Sequence, residues 1–224
     1  MNNTQANLFR KSGAGEEKRP GHYSDKTEKT TLYLLRHCEP DRLKVNDLQQ
    51  GLTEKGLEDA GKIAGFLSGR GISRIFSSDA LRALQTVQVF ADQTDLEISR
   101  DERLREGILG CAPEENYIYS PRQWEDPFFF LPGGESLARV QQRMLDVTRQ
   151  ILAECRGEKV LVCTHCTAMS VLMNAFDPSF GWEQARFKKR VWPWVVQMEF
   201  DGQGRFEKFQ EIYPVETGNG SLSF

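Results

Sequence analysis

The chain has 224 residues, 39% hydrophobic and 27% charged, a balance ordinary for one globular domain. Its 29 basic and 32 acidic residues set up no broad positive field, which argues against nucleic acid as a partner. No apolar run approaches the roughly 20 residues that span a bilayer, and the N-terminal stretch lacks the apolar region of a signal peptide, so a cytoplasmic location with five reduced cysteines is expected.

In chain order, residues 1–30 are polar and show no period of 2 or 3.6. They are expected to form a flexible arm, with His22 incidental. TLYLL (Thr31 to Leu35) has the apolar run of a buried strand. Thr53 is the expected N-cap of a helix with apolar positions at Leu57, Ala60, Ala64 and Leu67, closed by Gly69 or Gly71. SRIFSS reads as a second strand, DALRALQTVQVFADQ as a second helix, and Leu96 to Ser99 as a weak third strand. Residues 111–134 are aromatic and broken by prolines, which predicts a loop or irregular cap. Leu137, Val140, Met144, Val147 and Ile151 step by three and four, as on an amphipathic helix. KVLVCT then reads as a strand, TAMSVLMNAF as a helix, and VVQMEF-DGQG-RFEKFQEIY as a hairpin. The boundaries expected are an arm over 1–30, a domain over 31–214 and a flexible tail over 215–224. The fold class expected is a three-layer α/β/α sandwich, its central sheet mostly parallel with an antiparallel hairpin at the edge.

In such sheets ligands bind beyond the carboxyl ends of the strands. Two of the three histidines, His37 and His165, stand at such ends, each followed by a cysteine. A lone histidine there is most often a core-edge residue, but two converging imidazoles suggest nucleophilic or acid/base work. Arg82 lies in the first turns of the second helix, where Ser78 as N-cap would leave an anion-binding helix end. Glu106 follows the weak third strand, with Glu102 and Asp101 as alternative carboxylates.

Together these segments resemble the histidine phosphatase superfamily, also called phosphoglycerate mutase-like. LLRHCEP is similar to its Arg-His-Gly-Glu motif, SSDALRALQT to its Ser-Ser-x-x-x-Arg-Ala-x-Gln-Thr motif, and LREGILG to its Leu-x-Glu segment. PGGES is similar to its Gly-Glu-Ser helix start and VLVCTHC to its second histidine motif. The resemblance implies a phosphatase that needs no metal or other cofactor. His37 would take the phosphoryl group, Arg36, Arg82 and His165 would bind phosphate with Cys166 beside them, and Glu106 would be the general acid. The implied partner is a small-molecule phosphate ester, not nucleic acid or membrane. The oligomeric state is left open, a dimer included. A phosphoglycerate-type mutase and a decayed phosphate-binding regulator are the alternatives.

The chain departs from the family pattern at Cys38 and Cys166, where glycine is usual, and at Leu43, where many members have Asn. Arg122, Trp124 and Trp192 are further pocket candidates. Lys188, Lys189 and Arg190 read more simply as a solvated helix end than as a second anion site. If both strands end at one pocket, Cys38 and Cys166 come close together. They then read as fillers in place of glycine, as a redox pair whose thiolates Arg36 and Arg82 favour, or as part of a metal site that adjacent His-Cys spacing disfavours.

Overall fold

A computed structural model describes residues 28–42, 47–110 and 116–213. The expected arm up to residue 27, His22, Leu43, Cys111, the side chains of Tyr117 and Tyr119, and the C-terminal tail lie outside the described residues.

Six strands form one sheet: β1 (Thr30–Arg36), β2 (Arg74–Ser77), β3 (Ile98–Arg100), β4 (Lys159–Thr164), β5 (Trp194–Phe200) and β6 (Phe206–Tyr213). Their spatial order is β3-β2-β4-β1-β5-β6. The first four pair in parallel, and β5 and β6 close the other edge antiparallel. Side chains alternate across a strand, so β1 feeds two cores. Leu32 and Leu34 pack with α4 (Leu137–Glu154), α5 (Cys166–Phe176) and α6 (Trp182–Lys188) on one face. Tyr33 and Leu35 pack with α1 (Glu54–Leu67) and α2 (Leu81–Thr94) on the other. The result is the expected three-layer sandwich.

Local signals act mostly as read. Thr53 caps α1 by accepting from Gly56 N at 3.0 Å, and Ser136 caps α4 by accepting from Arg139 N at 3.2 Å. Some details differ. Leu57 is 49% exposed, and Ile63 takes the inward place beside Ala60, Ala64 and Leu67. β3 is shifted toward Arg100. Residues 116–125 form a helix, α3 (Asn116–Glu125), with Pro121 inside it, where the prolines had suggested irregular chain. α2 starts three residues after Ser78, with Ala80 as its N-cap and no capping side chain. No helix of the described residues is long and apolar enough to cross a membrane.

Candidate active site

β1 and β4 are adjacent and in register, with Arg36 opposite Thr164, so they end together. His37 N donates to Thr164 O at 3.1 Å, and the His37 and His165 rings meet edge-on with centroids 5.0 Å apart. The two imidazoles are 5% and 0% exposed. The Gln-Thr pair of α2 pins the surrounding loops. Thr86 Oγ1 accepts from Cys38 N at 2.9 Å and donates to Arg82 O at 2.7 Å, while Gln85 Oε1 accepts from Leu52 N at 2.8 Å.

The hydrogen-bond partners assign both tautomers. A carbonyl can only accept, so His37 Nδ1, 2.7 Å from Cys38 O, carries the ring proton. That leaves His37 Nε2 with a lone pair, which accepts from Arg82 Nε at 3.3 Å. A guanidinium can only donate, so His165 Nδ1 accepts from Arg82 Nη2 at 3.2 Å, and His165 Nε2–H donates to Ser78 Oγ at 2.9 Å. Burial first, and the Arg82 charge next, push His37 well below the usual histidine range. Burial, then His37 and Arg82, do the same for His165. The site therefore holds two neutral imidazoles whose free lone pairs face one cation. Arg82 also donates to Asp47 O at 2.6 Å and Asp47 Oδ2 at 3.0 Å.

Glu106 sits at the start of α5. Its Oε2 accepts from Thr167 N at 3.1 Å, and its Oε1 from Ala168 N at 3.2 Å and Gly107 N at 3.0 Å. A helix N-terminus leaves such N–H groups unpaired, so it is a natural seat for a carboxylate. Beside Glu106 opens a cleft of about 240 Å³, lined by Arg36, Arg42, Ile108, Leu109, Trp124, Leu137, Cys166, Ser170 and Lys189 among others. Neither histidine forms part of its wall.

The family model of the histidine phosphatase superfamily (branch 1) matches residues 32–204. The chain belongs to this superfamily. A curated relative of the superfamily member, "Probable phosphoglycerate mutase GpmB" of Yersinia enterocolitica, is 30% identical over 156 residues, covering 64% of this chain and 73% of that protein. The solved structure of Bacillus stearothermophilus YhfR aligns with a TM-score of 0.66 and 32% identity, covering 80% of this chain and 94% of its own. Mycobacterial glucosyl-3-phosphoglycerate phosphatase Rv2419c shares the fold with a TM-score of 0.64 and 22% identity, covering 82% of this chain and 97% of its own.

Several expectations for the site need correction. Ser78 does not cap α2; it serves His165. Two of the first three donors of α2 are taken, since Arg82 N donates to Gln50 O at 3.0 Å and Ala83 N to Ala80 O at 2.9 Å, which leaves little of that helix end for an anion. Arg36 is not a free fork. Its Nη1 donates to Lys188 O and, at 2.8 Å, to Val191 O, its Nη2 to Lys189 O at 3.3 Å, and its guanidinium lies 4.5 Å from the Trp192 ring centroid. Only its buried Nε has no partner among the described residues. Trp192 thus backs Arg36 and does not line the cleft, whereas Trp124 does. Arg122 is exposed, its guanidinium 3.7 Å from the Phe129 ring centroid, outside the cleft. Lys189 keeps contact with solvent yet lines the cleft, so the run 188–190 is more than a solvated helix end.

The cysteines do not pair up as one pocket would require. Cys38 packs with Leu52 and Ala60 beneath α1, while Cys166 lines the cleft beside Arg36 and Glu106 on the opposite face. Burial pushes the Cys38 thiol up to about 12, and pushes Cys166 up to about 11 despite Arg36. Burial thus disfavours the thiolate at both positions. Among the described residues no three His, Cys, Asp or Glu side chains are grouped to hold a metal ion. Reading the sequence missed Asp47 and Thr164 as partners of the site, because each meets its partner at least 35 positions away in the chain.

Proposed function

We propose that the chain is a phosphomonoesterase that hydrolyses a small phosphorylated metabolite through a phosphohistidine on His37. The observation that carries this is the His37 tautomer: Nδ1–H is held by Cys38 O, and the Nε2 lone pair is left facing Arg82. Buried and neutral, that nitrogen can attack phosphorus without first losing a proton. An entering phosphate takes up the Arg82 donors that now rest on both histidines, and the Arg36 Nε–H supplies one more. The ester enters as its monoanion and passes its proton to the Glu106 carboxylate; as the N–P bond forms and the ester P–O bond breaks, Glu106 gives that proton to the leaving oxygen. Water then attacks the phosphohistidine and loses a proton to Glu106. The N–P bond breaks, its electron pair returns to Nε2, and phosphate leaves. These steps need no metal.

Ile108, Leu109, Trp124 and Leu137 give the cleft an apolar wall, which suits an ester with an apolar or planar part. The even balance of charge favours a free metabolite over nucleic acid or a membrane as partner, and with it action in the cytoplasm by a domain spanning 31–214. A second reading, a phosphoglycerate-type mutase, is favoured by the name of the Yersinia relative.

The test is purified protein screened on a panel of phosphorylated metabolites, with His37→Ala beside it. Turnover that disappears in the variant, together with an acid-labile phosphoenzyme seen only in wild type, supports the reading. A His37→Ala protein that still turns over defeats it. An absolute requirement for a bisphosphate assigns the mutase instead.

A further inference from the structure

Glu106 stands on a segment with little regular structure of its own, a three-residue β3 and a single 3-10 turn over Glu102–Leu104. Something else must fix its carboxylate. The four successive carbonyls of residues 103–106 are all taken by side chains from two other elements. Arg143 of α4 donates from Nη1 to Arg103 O and Arg105 O, both at 2.7 Å, and from Nη2 to Glu106 O at 3.1 Å. Thr164, one residue before His165, donates from Oγ1 to Leu104 O at 2.6 Å. The two remaining Arg143 donors go to one carboxylate, Nε to Glu135 Oε1 at 3.1 Å and Nη2 to Glu135 Oε2 at 3.0 Å. All five N–H groups of the guanidinium are thereby used.

Glu135 extends the clamp beyond Glu106. Its N donates to Ile108 O at 2.7 Å, and its Oε2 accepts from Ile108 N at 3.2 Å. Burial raises Glu135, and the Arg143 pair outweighs it, leaving the carboxyl below its usual range. Backbone anchors at 103–105 on one side and at 108 on the other leave residue 106 little freedom. We infer that Arg143, with Glu135, is a positioning residue that holds Glu106 where it can protonate the leaving oxygen, an inference that rests on the phosphatase reading above. Lysine cannot replace it, because one ammonium cannot serve three carbonyls and both oxygens of a carboxylate.

The test compares wild type, Arg143→Lys, Glu106→Gln and the double variant on p-nitrophenyl phosphate and on glycerol 2-phosphate. The aryl leaving group departs without a proton; the alkoxide needs one. Arg143→Lys is expected to lower kcat/KM for glycerol 2-phosphate by about 100-fold, the scale of a group misplaced by about 1 Å, while the aryl ester falls by less than about 10-fold. The double variant should be no slower than Glu106→Gln, since both changes remove one function. Thermal unfolding monitors folding, and if Arg143→Lys does not fold, Glu135→Gln is read by the same criterion. Equal losses on both esters, or multiplying losses in the double variant, would overturn the inference alone. A wild type that hydrolyses neither these esters nor any member of the metabolite panel would overturn the phosphatase reading, and this inference with it.

Discussion

Two alanine substitutions in one helix test how tightly the His37 loop is held. Gly56 lies in the first turn of α1. A Cβ built there falls 2.4 Å from Glu39 O and 3.1 Å from Leu52 Cβ, where ordinary contact begins at 3.4 Å. The overlap with the carbonyl is therefore about 1 Å. Glu39 O cannot simply retreat, because it accepts from Thr53 N at 3.0 Å and stands two residues after His37. Forcing a methyl into such a contact costs about 1–3 kcal/mol, offset by at most about 1 kcal/mol of helix propensity. With the full offset the net loss is at most about 2 kcal/mol, or up to roughly 8 °C in Tm for a chain of this size. Gly61, in the same helix, has nothing within 4 Å of its ideal Cβ. There alanine should stabilise by about 0.5–1 kcal/mol. Urea unfolding with an unchanged m-value measures both, and kcat should fall in Gly56→Ala alone. A Gly56→Ala protein as stable as Gly61→Ala would refute the claim that the close approach of Glu39 fixes this loop.

Three further outcomes are expected. His37 and His165 lie well below the usual histidine range, so the unfolded chain binds protons more readily than the folded one. Stability should then fall as pH drops below about 6.5, with a slope of at most about 2.7 kcal/mol per unit for two such groups, about 1.4 each; urea titrations between pH 7 and 5 should show roughly half that slope in His165→Asn. Mild peroxide should leave activity unchanged, and Cys38 and Cys166 should be alkylated only on unfolding, as followed by peptide mass spectrometry, because burial keeps both as thiols. Activity should survive prolonged treatment with EDTA, and a loss restored by magnesium would contradict the mechanism.

The sequence by itself determined the layers and the strand ends. Periods of 2 and 3.6 and local caps such as Thr53 and Ser136 are properties of neighbours in the chain, and they placed His37 and His165 at the ends of two strands that proved adjacent. The tertiary structure decided what each polar group faces. Arg36 was legible as an arginine at a strand end, but its fork is taken by carbonyls of residues 188, 189 and 191, more than 150 positions away. Cys38 and Cys166 follow equivalent histidines, yet the pleat and the turn out of each strand send them to opposite faces of the sheet. Nothing in the sequence around Arg143 marks it out, and only the fold brings three carbonyls and Glu135 around it. Apolar periodicity is a local pattern, whereas satisfying buried donors and acceptors joins residues distant in the chain, so the first can be read from the sequence and the second cannot.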